Sequence, residues 1–224
     1  MSAREWRVTV GDAETSAIYE PASSELDVAT FVAAHGAGGS MSDRSMLAVA
    51  NALRARGVGV VRFNFLYKEK GSGRPDPMPK LMATVTAVVE RARAELGNPR
   101  PLIIGGRSMG GRAASMLAAE GFPADGLLLL AYPLHPPGKP DQLRDAHLPR
   151  IAMPVLCFNG TRDDFCTPAL MERAITTVTA PWEMRWLEGA DHSFHVLKSS
   201  GRNDAAVLSE VAETSARWLA ELGR

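Results

Sequence analysis

The stretch Gly105-Gly106-Arg107-Ser108-Met109-Gly110-Gly111 sets one hydroxyl among four glycines. A serine hydroxyl is a weak nucleophile until a base takes its proton. The base in turn needs a carboxylate that fixes its tautomer and balances the imidazolium. Two later stretches offer these groups. Asn159-Gly-Thr-Arg-Asp-Asp-Phe165 carries Asp163 and Asp164, and Gly189-Ala-Asp-His-Ser-Phe194 carries His192. Ser108 as nucleophile, His192 as base and Asp163 as acid are the groups that acyl transfer requires. Asp164 is the alternative acid, and His195 is the second choice of base. Asp191 adjoins His192, but side chains adjacent in sequence rarely face one another in the needed way.

The developing oxyanion of such a reaction needs two N–H donors. Met109, directly after the serine, supplies one. The glycine-rich segment HGAGGS at residues 35–40 supplies the other, with Ala37 the best candidate. His35 reads as an organiser of that loop, not as a second base.

These groups act only if the chain gathers them at one place. Short apolar runs alternate with segments of helical period. Strands are expected at residues 27–34, 58–63, 101–105, 126–131, 154–159 and 182–187. Helices are expected around residues 46–53, 81–96, 112–120, 169–178 and 203–222. Residues 6–10 and 15–19 flank Gly11-Asp12 and read as a hairpin. Strands separated by helices imply βαβ units and a mostly parallel, doubly wound sheet covered on both faces. Ser108 then falls between a strand and a helix. Gly106 and Gly110 lie two residues to either side of it, where side chains would crowd the neighbouring strand and helix. The carboxyl ends of all the parallel strands share one edge, so His192 and Asp163 can reach Ser108.

The bulk numbers exclude several functions. The 224 residues fit a single domain spanning 1–224, with 46% hydrophobic and 22% charged residues. The formal net charge is zero, which leaves no basic stripe for nucleic acid. The opening MSAREWRVTV lacks an apolar signal region, and no run reaches the roughly 18 apolar residues of a membrane span. Cys157 and Cys166 stand outside any metal-binding spacing. A cytoplasmic protein with reduced thiols and no metal or cofactor is expected, taking a small-molecule acyl substrate as its partner.

The set HGAGGS, VRFNFLY, GGRSMGGR, FNGTRDDF and GADHSF, in that order, resembles the α/β-hydrolase superfamily over nearly the whole chain. The order Ser108, Asp163, His192 is also the order of that superfamily. More narrowly, the motifs are similar to those of small enzymes grouped near the dienelactone hydrolases. A non-specific-lethal complex subunit and the testis-expressed proteins are eukaryotic relatives. Dienelactone hydrolases proper use a cysteine nucleophile, and this chain has serine there. The resemblance therefore implies an α/β-hydrolase fold with serine-hydrolase, esterase-like machinery, and not dienelactone turnover.

Only 22 residues, 132–153, separate two strands where relatives insert a cap. A lidless enzyme is expected. Its pocket walls would come from residues 64–80, 132–140 and 165–171. Phe65, Tyr67, Tyr132, Leu134 and Phe165 are the candidate lining residues, with Met109 beneath. Lys68, Lys70 and Arg74 read as a solvated loop. Arg107 is either a salt-bridging residue at the turn or a substrate contact. Two other functions compete with hydrolysis: a non-catalytic interaction module on the same fold, and acyltransferase or haloperoxidase-like chemistry at the same site.

Overall fold

The apolar runs at residues 29–34, 58–63, 102–106, 126–130 and 155–160 are buried along their length, because the middle of the sheet is covered on both faces, whereas residues 4–10 and 13–20 at one edge alternate. A computed structural model describes residues 2–99 and 101–222. Its elements are β1 (Arg4–Val10), β2 (Ala13–Glu20), β3 (Ala29–Ala34), α1 (Arg44–Arg54), β4 (Val58–Phe63), α2 (Leu66–Glu69), α3 (Met78–Leu96), β5 (Leu102–Arg107), α4 (Met109–Ala119), β6 (Gly126–Leu130), β7 (Val155–Gly160), α5 (Pro168–Ile175), β8 (Trp182–Leu187) and α6 (Asp204–Leu222). The eight strands form one sheet in the order β1-β2-β4-β3-β5-β6-β7-β8. The β1–β2 and β2–β4 pairs are antiparallel and the remaining pairs are parallel.

Successive strand residues feed opposite layers. Phe31 and Ala33 of β3 pack with Met46, Val49, Ala50 and Leu53 of α1 and with Val207, Val211 and Leu219 of α6. Val32 and Ala34 point the other way, toward Leu81, Val85, Val88 and Val89 of α3 and Ala113, Ala114 and Leu117 of α4. Local signals close the helices. Asp43 caps α1 by accepting from Met46 N–H at 2.9 Å. Gly97 ends α3 in the left-handed conformation with φ 71°.

The chain leaves β3 in one direction to build β4 and crosses back over it to build β5 on the other side. The loops after β3 and β5 therefore diverge at their carboxyl ends, and this divergence opens a crevice. Residues 132–153 hold one 3₁₀ turn, Leu148–Arg150, and no cap. Most element ends shift by one to three residues from the sequence reading, and two of the shifts matter for the turn at Ser108. β5 runs on through Arg107, and α4 starts at Met109 instead of residue 112. The turn is thus compressed to Ser108 alone. The four-residue α2 is too short to display a helical period.

His147, beside that 3₁₀ turn, is 7% exposed, with Nε2 2.8 Å from Ser115 Oγ of α4. Burial above all, then Arg112 and Arg150, pulls its pKa down to about 4 against the opposing Asp145. The unfolded chain takes up this proton near pH 6.5, whereas the folded chain resists it. Stability from this group is therefore full above about pH 6.5 and is lost as pH falls toward about 4. His147→Gln should lose less stability than wild type between these limits, by on the order of 2 kcal/mol after discounting for solvent screening. Urea unfolding at several pH values checks this, and parallel losses in both proteins would refute it.

Candidate active site

Ser108 is the single residue between β5 and α4, at φ 49° and ψ −116°. A non-glycine residue at positive φ is strained by about 1–3 kcal/mol. The surroundings fix it there. A Cβ on Gly106 would lie 2.1 Å from Ala34 O, and one on Gly110 would lie 2.6 Å from the carbonyl oxygens of both Ala34 and His35. Backbone at the end of β3 thus occupies the space a side chain would need, and it forces glycine on both sides of the serine. Ser108 N–H donates to Leu130 O of β6 at 2.9 Å, and Ser108 O accepts from Arg112 N–H at 2.9 Å.

The loop between β8 and α6 brings His192 to the serine. His192 Nε2 is 2.9 Å from Ser108 Oγ, and Nδ1 is 2.9 Å from each oxygen of Asp163. With Asp163 ionised, Nδ1 carries the proton and Nε2 is free to accept the serine's. Phe165 stacks on the imidazole with centroids 4.3 Å apart. Asp163 follows β7 and its side chain is fully buried. Its oxygens also accept from Phe165 N–H at 2.8 Å and Asn159 Nδ2–H at 3.0 Å. Asn159 is locked in turn by Tyr132, whose N–H it accepts at 3.2 Å and whose carbonyl it donates to at 3.0 Å. Asp164 is exposed to solvent. His195 is exposed and pairs instead with Asp204 of α6 at 2.9 Å.

The segment after β3 arches over the serine, where a Cβ on Gly36 would sit 3.5 Å from Ser108 Cβ. Met109 is the first residue of α4, so its N–H has no partner within the helix. The helix dipole adds partial positive charge at the same point. Ala37 lines the same cleft as Ser108. Strand β4 and the turn behind it hold this loop. His35 Nδ1–H donates to Gly36 O at 2.7 Å, while Nε2 accepts from Phe65 N–H at 3.1 Å. That bonding requires a neutral ring, and burial lowers the imidazole's pKa accordingly. Tyr67 donates its hydroxyl to Ala37 O at 2.8 Å. Burial, then Asp76, pushes that phenol up to about 12, so it remains a donor.

Four of the five expected lining residues lie elsewhere. Phe65, Tyr67, Tyr132 and Leu134 are buried at 2% exposure or less within the core on the α3–α4 side. Aromatic side chains just past a strand end can turn toward solvent or inward, and these turn inward beneath the loops. Only Phe165 reaches the cleft. This cleft of about 440 Å³ is lined by Gly36, Ala37, Asp43, Arg107, Ser108 and His192, among others. A larger depression of about 710 Å³ lies at the amino end of β5 among Arg93, Asn98 and Pro123. Among the described residues its lining holds no serine, cysteine or histidine, so size does not mark the site.

Sequence reasoning left three supporting residues without a role. Asn159 orients the Asp163 carboxylate. Arg62 and Asn64 grip Met41 of the arching loop, at its carbonyl and its N–H respectively. Arg62 is itself buried and paired with Glu20 at 2.6 Å. A charged residue inside the apolar run VGVVRF was the available signal for Arg62.

A family model described as an alpha/beta hydrolase domain matches residues 27–220. Among solved structures, an alpha-beta serine hydrolase homologue from Coxiella burnetii has a TM-score of 0.77 and 20% identity, with 98% of each chain covered. A lidless α/β serine hydrolase from Xanthomonas campestris has a TM-score of 0.75 and 21% identity, covering 97% of this chain and 95% of its own. A dienelactone hydrolase from Anabaena variabilis has a TM-score of 0.74 and 19% identity, with 100% of both chains covered. At these identities the likeness is one of fold.

The close approach at the turn predicts that Gly106→Ala destabilises the chain by more than about 3 kcal/mol, because the new methyl must displace β3 backbone. Gly73 has nothing within 4 Å of its added Cβ. Gly73→Ala is therefore the control, and it should change stability by no more than about 1 kcal/mol. Urea unfolding of the two variants tests the contrast.

Proposed function

This chain belongs to the alpha/beta hydrolase domain family, and from that premise we propose that it is an esterase-like serine hydrolase. It cleaves an ester, thioester or related acyl bond of a small substrate through an acyl-enzyme. The observation that carries this reading is the unbroken run of hydrogen bonds from Ser108 Oγ through His192 to Asp163, each 2.9 Å long. It starts at a serine held at positive φ.

In the proposed reaction, Ser108 Oγ attacks the acyl carbon as His192 Nε2 takes the hydroxyl proton. Asp163 stabilises the imidazolium without becoming protonated. Negative charge gathers on the former carbonyl oxygen, and the N–H groups of Met109 and Ala37 receive it. The bond to the leaving group then breaks, and His192 gives that group its proton. Water enters next, loses a proton to His192 and attacks the acyl-serine. The Oγ–carbon bond breaks, the acid product departs, and the proton returns to Ser108.

A non-catalytic scaffold has no use for a strained serine, or for a buried carboxylate that orients an imidazole toward that serine. Both features cost stability, which supports the enzymatic reading.

A fluorophosphonate probe should label the wild-type chain and fail on Ser108→Ala and His192→Ala. A folded wild-type protein that stays unlabelled overturns the reading. Asp163→Asn should lower kcat about 10⁴-fold by imposing the wrong tautomer. Among para-nitrophenyl esters, the open and shallow cleft should favour short acyl chains in kcat/KM. A preference for long chains would contradict the absence of a lid.

A further inference from the structure

Arg107 lines the cleft beside Ser108 and is only partly buried. Its side chain makes one hydrogen bond among the described residues, from Nη2 to the His192 carbonyl at 2.5 Å. Its guanidinium also lies over the Phe194 ring, 5.2 Å from the centroid. Both partners are neutral. No carboxylate stands within ion-pair distance of Arg107 among the described residues, so it is not the salt-bridging residue that its position would also allow.

The carboxylates around it are committed elsewhere. Asp43 accepts from Ser40 N–H at 3.0 Å, Ser45 Oγ–H at 2.7 Å and Met46 N–H at 2.9 Å. Asp163 is taken up by His192, Phe165 and Asn159. Asp191 accepts from the N–H groups of Ser193 and His195 at 2.7 and 3.1 Å. Burial lowers the Arg107 pKa, opposed by these three carboxylates at longer range. A partly desolvated cation that keeps free donors at a reaction site is suited to an anion. Of the other lining groups, Gly36, Ala37, Gly38, Gly39, Ser45 and Ser193 carry no charge, and the one carboxylate facing the open cleft, Asp43, has its charge met by the donors of Ser40, Ser45 and Met46.

We propose that the substrate carries a carboxylate besides its scissile acyl bond, and that Arg107 binds this carboxylate with the donors that no protein atom takes. The substrate class is therefore an acidic ester, such as a half-ester of a short dicarboxylic acid. This rests on the hydrolase reading for the bond that is cleaved, but not for the anion that is held.

Two measurements test it. The first is kcat/KM for mono-para-nitrophenyl glutarate against para-nitrophenyl pentanoate. The wild type should favour the anionic ester about ten-fold or more, the worth of one charged hydrogen-bond pair. Arg107→Gln should bring the ratio close to one through KM, whatever its effect on both rates by way of His192. The second is calorimetric binding of glutarate to Ser108→Ala, and to Ser108→Ala combined with Arg107→Gln, which involves no turnover. Binding to the first that is lost in the second supports the proposal even where no ester is cleaved, in which case only the hydrolase reading falls. Equal kcat/KM for the two esters in wild type, or glutarate binding that is absent from Ser108→Ala or survives Arg107→Gln, overturns it.

Discussion

The chain turns from β5 into α4 within one residue, and the backbone of β3 fills the space on both sides of that residue. Gly106 meets Ala34 O, and Gly110 meets the carbonyl oxygens of Ala34 and His35. The contact is a hard steric one between main chains, so it sets relative position without depending on any rotamer. It holds Ser108 at φ 49°, a cost of about 1–3 kcal/mol. The offset is apolar burial. Ala113, Ala114, Leu117 and Ala118 of α4 close over the sheet with Val32, Ile104, Leu127 and Leu129. At roughly 0.8 kcal/mol per buried methylene, a few such contacts exceed the strain. The same approach brings the loop after β3 over the serine and the first N–H groups of α4 beside it.

A second constraint is electrostatic. The side chain of Asp163 is withdrawn from solvent, and an unpaired buried carboxylate costs several kcal/mol. Three donors from different places repay this: Phe165 N–H, Asn159 Nδ2–H and His192 Nδ1–H. Asn159 lies within β7 and also brackets both main-chain groups of Tyr132, just past β6. Solvating one carboxylate therefore ties the ends of β6 and β7 to the β8–α6 loop. The proposed acid and base are aligned by the need to satisfy a buried charge, and Phe165 closes the arrangement by stacking on the imidazole.

Much of this was legible in the sequence. Apolar runs of about six residues separated by helical periods define the strands, and the glycines around Ser108 and His35 mark where loops approach closely. The groups that meet, Ser108, His192 and Asp163, stand out because each follows a strand and all parallel strands end on one edge. What stayed illegible was direction. Phe65, Tyr67, Tyr132 and Leu134 have the composition of a pocket wall, but composition does not say which way a side chain leaves the backbone. Each faces the core. Arg107 was ambiguous for the same reason, since its part depends on whether a carboxylate comes within reach, which only the packed structure decides. The strand end at Arg107 was misplaced because a one-residue reversal leaves no run of turn residues to read.

In the proposed reaction, the absence of a cap changes what the loop after β3 must do. An enzyme that closes over its substrate excludes water and so strengthens each dipole at the site. An open cleft cannot do this, and donors that had to move into place would compete with solvent. Stabilisation must then come from N–H groups already in position before charge develops. Residues 35–41 meet that requirement through bonds from one short segment of chain. Arg62 donates to Met41 O, and Asn64 accepts Met41 N–H. Phe65 N–H reaches His35, and Tyr67 reaches Ala37 O. The aromatic residues behind β4 thus serve the cleft from below: they fill the core with their rings while their polar atoms fix the loop above. A fold without a lid has moved the burden of preorganisation from closure to this buttress, and that is why residues expected in the wall of the pocket lie beneath it.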